Sequence, residues 1–377
     1  MKKFTTACLV LILVGIFFFW KQSTFGDILY NHSTLSFERG TVADITDEHL
    51  EEGYDHLLLG NQELVVNMKN PKYKKPLKVT NVLSTQKSVH LEKGDGVIVL
   101  VDEPKGVPPY YSVYSPDRTG ALIFSTAAFL ALIFWVGRRK GLKAVLALAV
   151  SFFIIFLFMI PSIYMGANPI FITILTCILC SIYAFLILYG WSLMSAVNLI
   201  SVSIAFIASA LIFLFLSRLL HLTGYNLSDA ESLLLISKET GMKIHSLLFA
   251  GVAIAAYGAS KDVSVSISSS LFEISNLHPE SDRRELFASG MRIGKDILGT
   301  MVDTLLFAFL GSSLTTVLVF IAAGVEPMQL LNSDYFAVEF ITSIVSTMVL
   351  VLLVPISSYI SALFFKEKER LQKNRRA

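Results

Sequence analysis

The sequence predicts a mostly α, polytopic membrane bundle of eight transmembrane helices, with a small extracytoplasmic β domain after the first helix. Three observations carry this. Of 377 residues, 54% are hydrophobic and only 16% charged, and mean hydropathy is +0.64; a typical soluble domain is about 25% charged. Eight apolar runs approach or exceed the roughly 20 residues that a spanning helix needs. Between the first two lies a stretch of different composition, residues 21–118, in which β-branched segments alternate with turn signals.

The first run, residues 1–20, follows Lys2 and Lys3 and ends at Trp20-Lys21, an interfacial anchor. No small-x-small cleavage site follows it, and Cys8 comes too early to be a lipoprotein cysteine. The reading is an uncleaved signal anchor with its N-terminus in the cytoplasm.

Residues 21–118 hold the segments LSFERGTVADI, HLLLGNQELVVNM, LKVTNVL, VIVLVDE and YYSVYS, with a tight-turn signal at Gly94-Asp95-Gly96. Short strands at this spacing predict a small barrel or sandwich, OB-like in kind. His32, His49, His56 and His90 are scattered and read as solvated surface. No His/Cys metal cluster and no nucleophile motif occurs, and nothing points to nucleic acid.

Seven further membrane segments are expected at 119–136, 144–163, 169–189, 193–216, 244–265, 297–323 and 337–364. They make a membrane domain over 119–365, and 366–377 form a basic tail. Arg138, Arg139, Lys140 and Lys143 separate the first two of these seven, Arg283, Arg284, Arg292 and Lys295 precede the sixth, and six Lys or Arg lie in the tail. The loops MGANP and GVEPMQLLNSDYF carry no basic residue. The positive-inside rule then places both termini in the cytoplasm of a bacterial cell and the β domain outside the plasma membrane. In the loop 217–243, Ser228-x-x-Glu231 is a capping-box pattern that predicts a short amphipathic helix, lying on the interface or covering the bundle mouth. Cys177 and Cys180 have redox-motif spacing, but in ITILTCILCSIYAF they read as inert core residues.

The polar exception to this apolar chain is a pair of helices joined by SNLHPESDRRELFASGMRIGKD. On the entering helix Asp262, Ser266, Ser269 and Glu273 follow an i, i+4, i+7, i+11 spacing, and Gly251, Ala255, Gly258 and Ala259 supply small residues for close helix packing. On the returning helix Arg292, Asp296, Gly299 and Asp303 repeat that spacing, with Thr300 beside them. If Glu273 meets Arg292 at the membrane surface, Asp262 and Asp303 face each other roughly 16 Å inward. Two carboxylates there hold a proton between them or bind a cation. The alternative is that Asp262 pairs with Lys261 or Lys295, or that Lys261-Asp262 ends the span and VSVSISSSLFEI continues beyond it.

Intramembrane aspartyl proteolysis needs Tyr-Asp on one helix and Gly-x-Gly-Asp on the next; Ser260-Lys261-Asp262 and Met301-Val302-Asp303 match neither. HExxH, Gly-x-Ser-x-Gly and P-loop motifs are absent from the sequence. No catalytic residue, metal site or cofactor is assigned, and the chain is not expected to be an enzyme.

The run AGVAIAAYGASKDVSVSISSSLFEI followed by SDRRELFASGMRIGKDILGTMVDTLLFAFLGSSL resembles the YibE/F family of bacterial membrane proteins. The resemblance covers mainly Leu247–Leu314 and implies a multi-pass integral membrane protein, in a family presumed to include exporters. It marks Asp262, Arg284, Gly290, Asp296, Gly299 and Thr300 as signature positions. It implies an uncharged polar residue where this chain has Asp303, so Asp262 and Asp296 take precedence.

The expected function is a secondary transporter or exporter of a small solute or ion. Asp262, Ser266, Ser269, Asp296, Gly299, Thr300 and Asp303 would line its pathway, binding an ion or proton. Glu273, Arg283, Arg284, Arg292 and Lys295 would form the cytoplasmic gate and loop. The alternative is a membrane scaffold or accessory subunit whose external β domain recruits a protein partner.

Overall fold

In the computed structural model, described over residues 35–104, 106–222 and 230–376, the chain divides into two compact units that meet between Val136 and Gly137. The anchor helix, Cys8, His32 and Ser228 lie outside the described residues, as does the Glu231 side chain.

The first unit holds a closed five-stranded barrel: β1 (Leu35–Glu52), β2 (Leu58–Met68), β3 (Leu77–Leu83), β4 (Gly96–Asp102) and β5 (Tyr110–Pro116), in the order β1-β2-β3-β5-β4. Each coincides with a segment expected from the sequence. The period-2 alternation explains why: in β4, Val97, Val99 and Val101 point inward and their neighbours outward. β1 closes the barrel because its two register shifts, at Val42/Asp44 and Ile45/Asp47, let it bend and pair with both β2 and β4. β3 and β5 pair in parallel at Thr80 and Ser112. Gly60 permits the β1–β2 approach: its φ is +130°, and a Cβ there would lie 2.0 Å from the His49 carbonyl oxygen. One polar side chain, Gln62, is fully buried in the barrel. It is satisfied by Asn81 Nδ2, the Leu91 amide and carbonyl, and Glu48.

The helices are α1 (Thr119–Ile154), α2 (Ile160–Tyr164), α3 (Pro169–Tyr189), α4 (Leu193–Leu219), α5 (Ala230–Thr240), α6 (Ile244–Leu277), α7 (Arg283–Ala322), α8 (Pro327–Leu331) and α9 (Asp334–Arg376). Six runs among the described residues are long and apolar enough to cross a membrane. The run Thr119–Tyr164 holds both segments expected at 119–136 and 144–163; it is two helices joined across a kink at Arg138 (φ 44°, ψ −126°), so the six runs cover all seven segments expected after residue 118. The basic cluster expected as a loop there is otherwise helical; Arg and Lys are good helix formers, and no proline stops the chain.

The polar loop expected over 275–296 is also mostly helix. Asp282 caps α7 by accepting from the Glu285 amide at 2.8 Å, and the Glu285 carboxylate accepts in turn from the Asp282 amide at 3.0 Å. This capping box starts the helix at Arg283 and leaves only a short connection after Leu277. The expected short helix before α6 is present as α5, where Leu233 and Ile236 pack against a cluster containing Met159, Ile163 and Ile244.

In the second unit α4, α6 and α9 form the centre of the bundle. Phe206, Phe213, Phe249, Ile267, Leu350 and Leu353 are fully buried there. Cys177 and Cys180 are free thiols buried in the same core.

Candidate functional site

The buried polar face of α6 is not the one expected. Ser260, Ser264 and Ser268 are fully buried, whereas Asp262 and Glu273 are exposed and Ser266 and Ser269 half-buried. Two residues turn a helix about 200°, so the serine row lies almost opposite Asp262. Ser264 and Ser268 donate to Asn198 Oδ1 of α4 at 2.6 and 3.0 Å, and Asn198 Nδ2 donates to the Met194 carbonyl at 2.8 Å. From α9, Ser357 donates to the Ser264 carbonyl at 3.4 Å and Ser346 to the Val252 carbonyl at 3.2 Å. This network locks α4, α6 and α9 together. Its sequence signals were the i, i+4, i+8 serines and Asn198, the one strongly polar side chain in the charge-free segment 193–216.

The closest helix approach also differs from the expected one. Gly251, Gly258 and Gly299 have open space where a Cβ would stand. Gly290 and Gly294 of α7 are the crowded positions. A Cβ on Gly290 would lie 2.6 Å from Ser358 Oγ and 2.9 Å from Leu271 Cδ1; one on Gly294 would lie 2.3 Å from Val354 Cγ1 and 3.2 Å from Ile267 Cδ1. α7 therefore packs into the angle between α6 and α9 through a small-xxx-small pair.

These contacts fix the register. With Gly290 beside Leu271 and Gly294 beside Ile267, Asp262 comes level with Gly299. Asp303 lies four residues, about 6 Å, further along the bundle. The two carboxylates are not paired at one depth, and both are exposed on the surface of the described chain. Asp262 lies within electrostatic reach of Tyr189, the last residue of α3. Tyr189 and Trp191 are exposed there, as interfacial aromatics are. Lys261 does not pair with Asp262; its Nζ sits 4.4 Å from the Tyr257 ring centroid.

The remaining expected residues lie along one exposed side of α7. Arg292 donates to Ser289 Oγ at 3.3 Å and forms no ion pair with Asp296 or Glu273 among the described residues. Lys295, Asp296, Gly299 and Thr300 are exposed; Thr300 Oγ1 donates to the Ile297 carbonyl at 3.0 Å. Arg283 and Arg284 border a groove with Phe287 and Tyr359.

Asp303 instead shares a cavity with a residue the sequence reading missed. Between α7 and α9 lies a cavity of about 390 Å³, lined at its polar points by Asp303, Ser313, Glu339 and Ser343 and elsewhere by aromatic and aliphatic side chains. In the register set by Gly290–Ser358 and Gly294–Val354, Glu339 stands about six residues, roughly 9 Å, beyond Asp303 along the bundle. No Lys or Arg among the described residues lines the cavity. Glu339 was legible as a carboxylate inside the expected span 337–364, and its place near the start of that span hid it.

No group of three or more His, Cys, Asp or Glu suited to a metal occurs among the described residues.

Residues 125–367 match the family model described as YibE/F-like protein. No curated protein and no solved structure matches the chain.

Proposed function

The chain belongs to the YibE/F-like family, and from that premise we propose that it is a secondary transporter or exporter of a small solute or ion, working through the groove between α7 and α9. The observation that carries this reading is that Asp303 and Glu339, on two helices of membrane-spanning length and composition, line one cavity with no basic residue among the described residues. A carboxylate within a bilayer costs roughly 2.5–3.5 kcal/mol on insertion scales. Two without a counter-ion are held by protons or by a bound cation. Asp296 and Asp303, seven residues apart on α7, and then Glu339 on α9 form a stepped acidic path. Asp262, Gly299 and Thr300 stand near its entry. With no P-loop in the sequence, the driving force in this reading is an ion gradient.

In this reading the membrane is the bacterial plasma membrane, with both termini cytoplasmic as the basic clusters at 138–143, 283–295 and 366–376 favour. The barrel is extracytoplasmic and OB-like, which its five-stranded order with β3 parallel to β5 supports. The test is gradient-driven flux in proteoliposomes. Wild-type flux from a folded Asp303→Asn/Glu339→Gln protein would sink the reading.

A second reading, a scaffold whose barrel recruits a protein partner, is favoured by one feature. Phe37 and Tyr114 make an edge-on aromatic pair at 4.8 Å while each stays about half exposed (54% and 50%). Exposed aromatic pairs are common anchors of protein interfaces. Loss of a stoichiometric co-purifying partner in Phe37→Ser/Tyr114→Ser would support it, and no partner with either protein would remove it.

A further inference from the structure

We infer that the α7–α9 groove binds an amphipathic organic cation, and not an inorganic ion. This rests on the proposed transport reading for its site and names the ligand class. The cavity, at about 390 Å³, is of the size that takes small organic ligands. Its walls are aromatic: Phe320 and Tyr335 pack with ring centroids 6.2 Å apart, and Phe336 stacks on Phe340 at 5.8 Å. Aromatic faces attract organic cations and do nothing for the hydration shell of a metal ion. Calcium requires six to eight oxygen ligands and magnesium a near-ideal octahedron. The lining offers only the Asp303 and Glu339 carboxylates, a few hydroxyls and no clustered donor set.

The carboxylates supply the complementary charge, with no basic residue among the described residues of the lining to neutralise them. A second, independent observation is Ser313. It is 8% exposed, lines the cavity and has no hydrogen bond among the described residues. Helical serines usually donate to a carbonyl of the preceding turn, as Ser343 does to Glu339 at 3.0 Å. The Ser313 hydroxyl is therefore free to meet a ligand in the cavity. A lipid chain filling the groove would match the aromatic walls but neither the acids nor this hydroxyl.

The experiment is equilibrium binding of radiolabelled tetraphenylphosphonium to the purified full-length protein in a neutral detergent, with tetraphenylborate as an anion of the same size and shape. Saturable binding of the cation is expected, with affinity at least about tenfold above that for the anion. Asp303→Asn/Glu339→Gln should lose at least about tenfold in cation affinity. Asp303→Glu should retain it, and Leu310→Trp, which fills the cavity and leaves both acids in place, should abolish it. Equal binding of the anion, unchanged binding in the double variant, or no cation binding would overturn the inference. Asp303→Glu, which keeps the charge, separates a folding defect from a lost charge. If Leu310→Trp instead dissociates a dimer and the wild type binds no cation, a second copy occupies the groove and the inference fails. Cation binding without flux keeps the ligand class and removes the transport reading; ion-driven flux without cation binding does the reverse.

Discussion

Ser264 of α6 donates a 2.6 Å hydrogen bond to Asn198 Oδ1 of α4, at a point where both side chains are fully buried. Ser268 donates to the same oxygen at 3.0 Å. Asn198 thus gathers two hydroxyls that have no water to turn to. Asn198→Leu should destabilise the bundle by about 1–2 kcal/mol, because it leaves the Ser264 hydroxyl without an acceptor and Ser268 with only the Val265 carbonyl at 3.2 Å. Adding Ser264→Ala and Ser268→Ala to that background should recover part of the loss. Thermal unfolding of the wild type, Asn198→Leu, Ser264→Ala/Ser268→Ala and the triple variant in one detergent measures this. Additive losses would mean that the three side chains do not act as a unit.

The Gly290 and Gly294 contacts predict a sharp positional contrast. Gly294→Ala sets a Cβ 2.3 Å from Val354 Cγ1, and Gly290→Ala sets one 2.6 Å from Ser358 Oγ. Each should cost about 1–3 kcal/mol as overpacking. Gly299→Ala, with open space at its Cβ, should change stability by no more than about 0.5 kcal/mol. Val354→Ala should partly rescue Gly294→Ala. Equal effects at all three glycines would contradict the packing of α7 against α9.

The acid sensitivity of the barrel should trace to Glu103. Its carboxylate accepts from Lys72, from Tyr73 at 3.2 Å and from Tyr111 at 3.3 Å, and the Lys72 hydrogen bond first of all holds it below the ordinary 4.5. A depressed carboxyl contributes stability that is fully present above its unfolded value and is lost as pH falls through the folded one. Lys72 is raised above its ordinary 10.5 by the same contact, so its contribution is constant in acid and adds no slope. Amide protection in β4 and β5 of the full chain should therefore fall between about pH 5 and pH 2. In Glu103→Gln the fall should be shallower, and an unchanged profile would assign the sensitivity elsewhere.

The three membrane carboxylates should separate functionally. Asp262 has no described ion-pair partner, so Asp262→Asn should leave stability within about 0.5 kcal/mol of the wild type. Asp303→Asn and Glu339→Gln should each lower gradient-driven flux by at least about tenfold, more than Asp262→Asn does, because only they line the cavity. Proteoliposome flux at matched protein density decides the order. Asp262→Asn as the most damaging change would move the site off the α7–α9 groove.

Much of this was legible in the linear chain. Strand positions follow from a period-2 pattern that is local and strong, as in GVIVLVD. The long apolar helices follow from composition, because a span of about 20 residues leaves few readings. The cap at Asp282 and Glu285 was written in the sequence too, as a four-residue pattern. Glu339 was visible as a charge inside a span.

The sequence by itself determined that this is a helical membrane protein with a small β domain, and that carboxylates sit on its spanning helices. It did not determine which of them meet. An i, i+4 spacing tells which residues share a face, but not whether that face turns inward. In α6 the buried face is Ser260–Ser264–Ser268, and Asp262 lies opposite. Nor does spacing set the register between antiparallel helices. The expected Glu273–Arg292 level and the observed Leu271–Gly290 contact differ by four residues of α7, about 6 Å. That register is set where two backbones approach most closely, at Gly290 and Gly294. Only the tertiary structure selects those glycines, because what crowds them comes from Ile267, Leu271, Val354 and Ser358, residues distant in sequence. That one-turn difference separates Asp303 from Asp262, and the packing of α7 against α9 places it with Glu339.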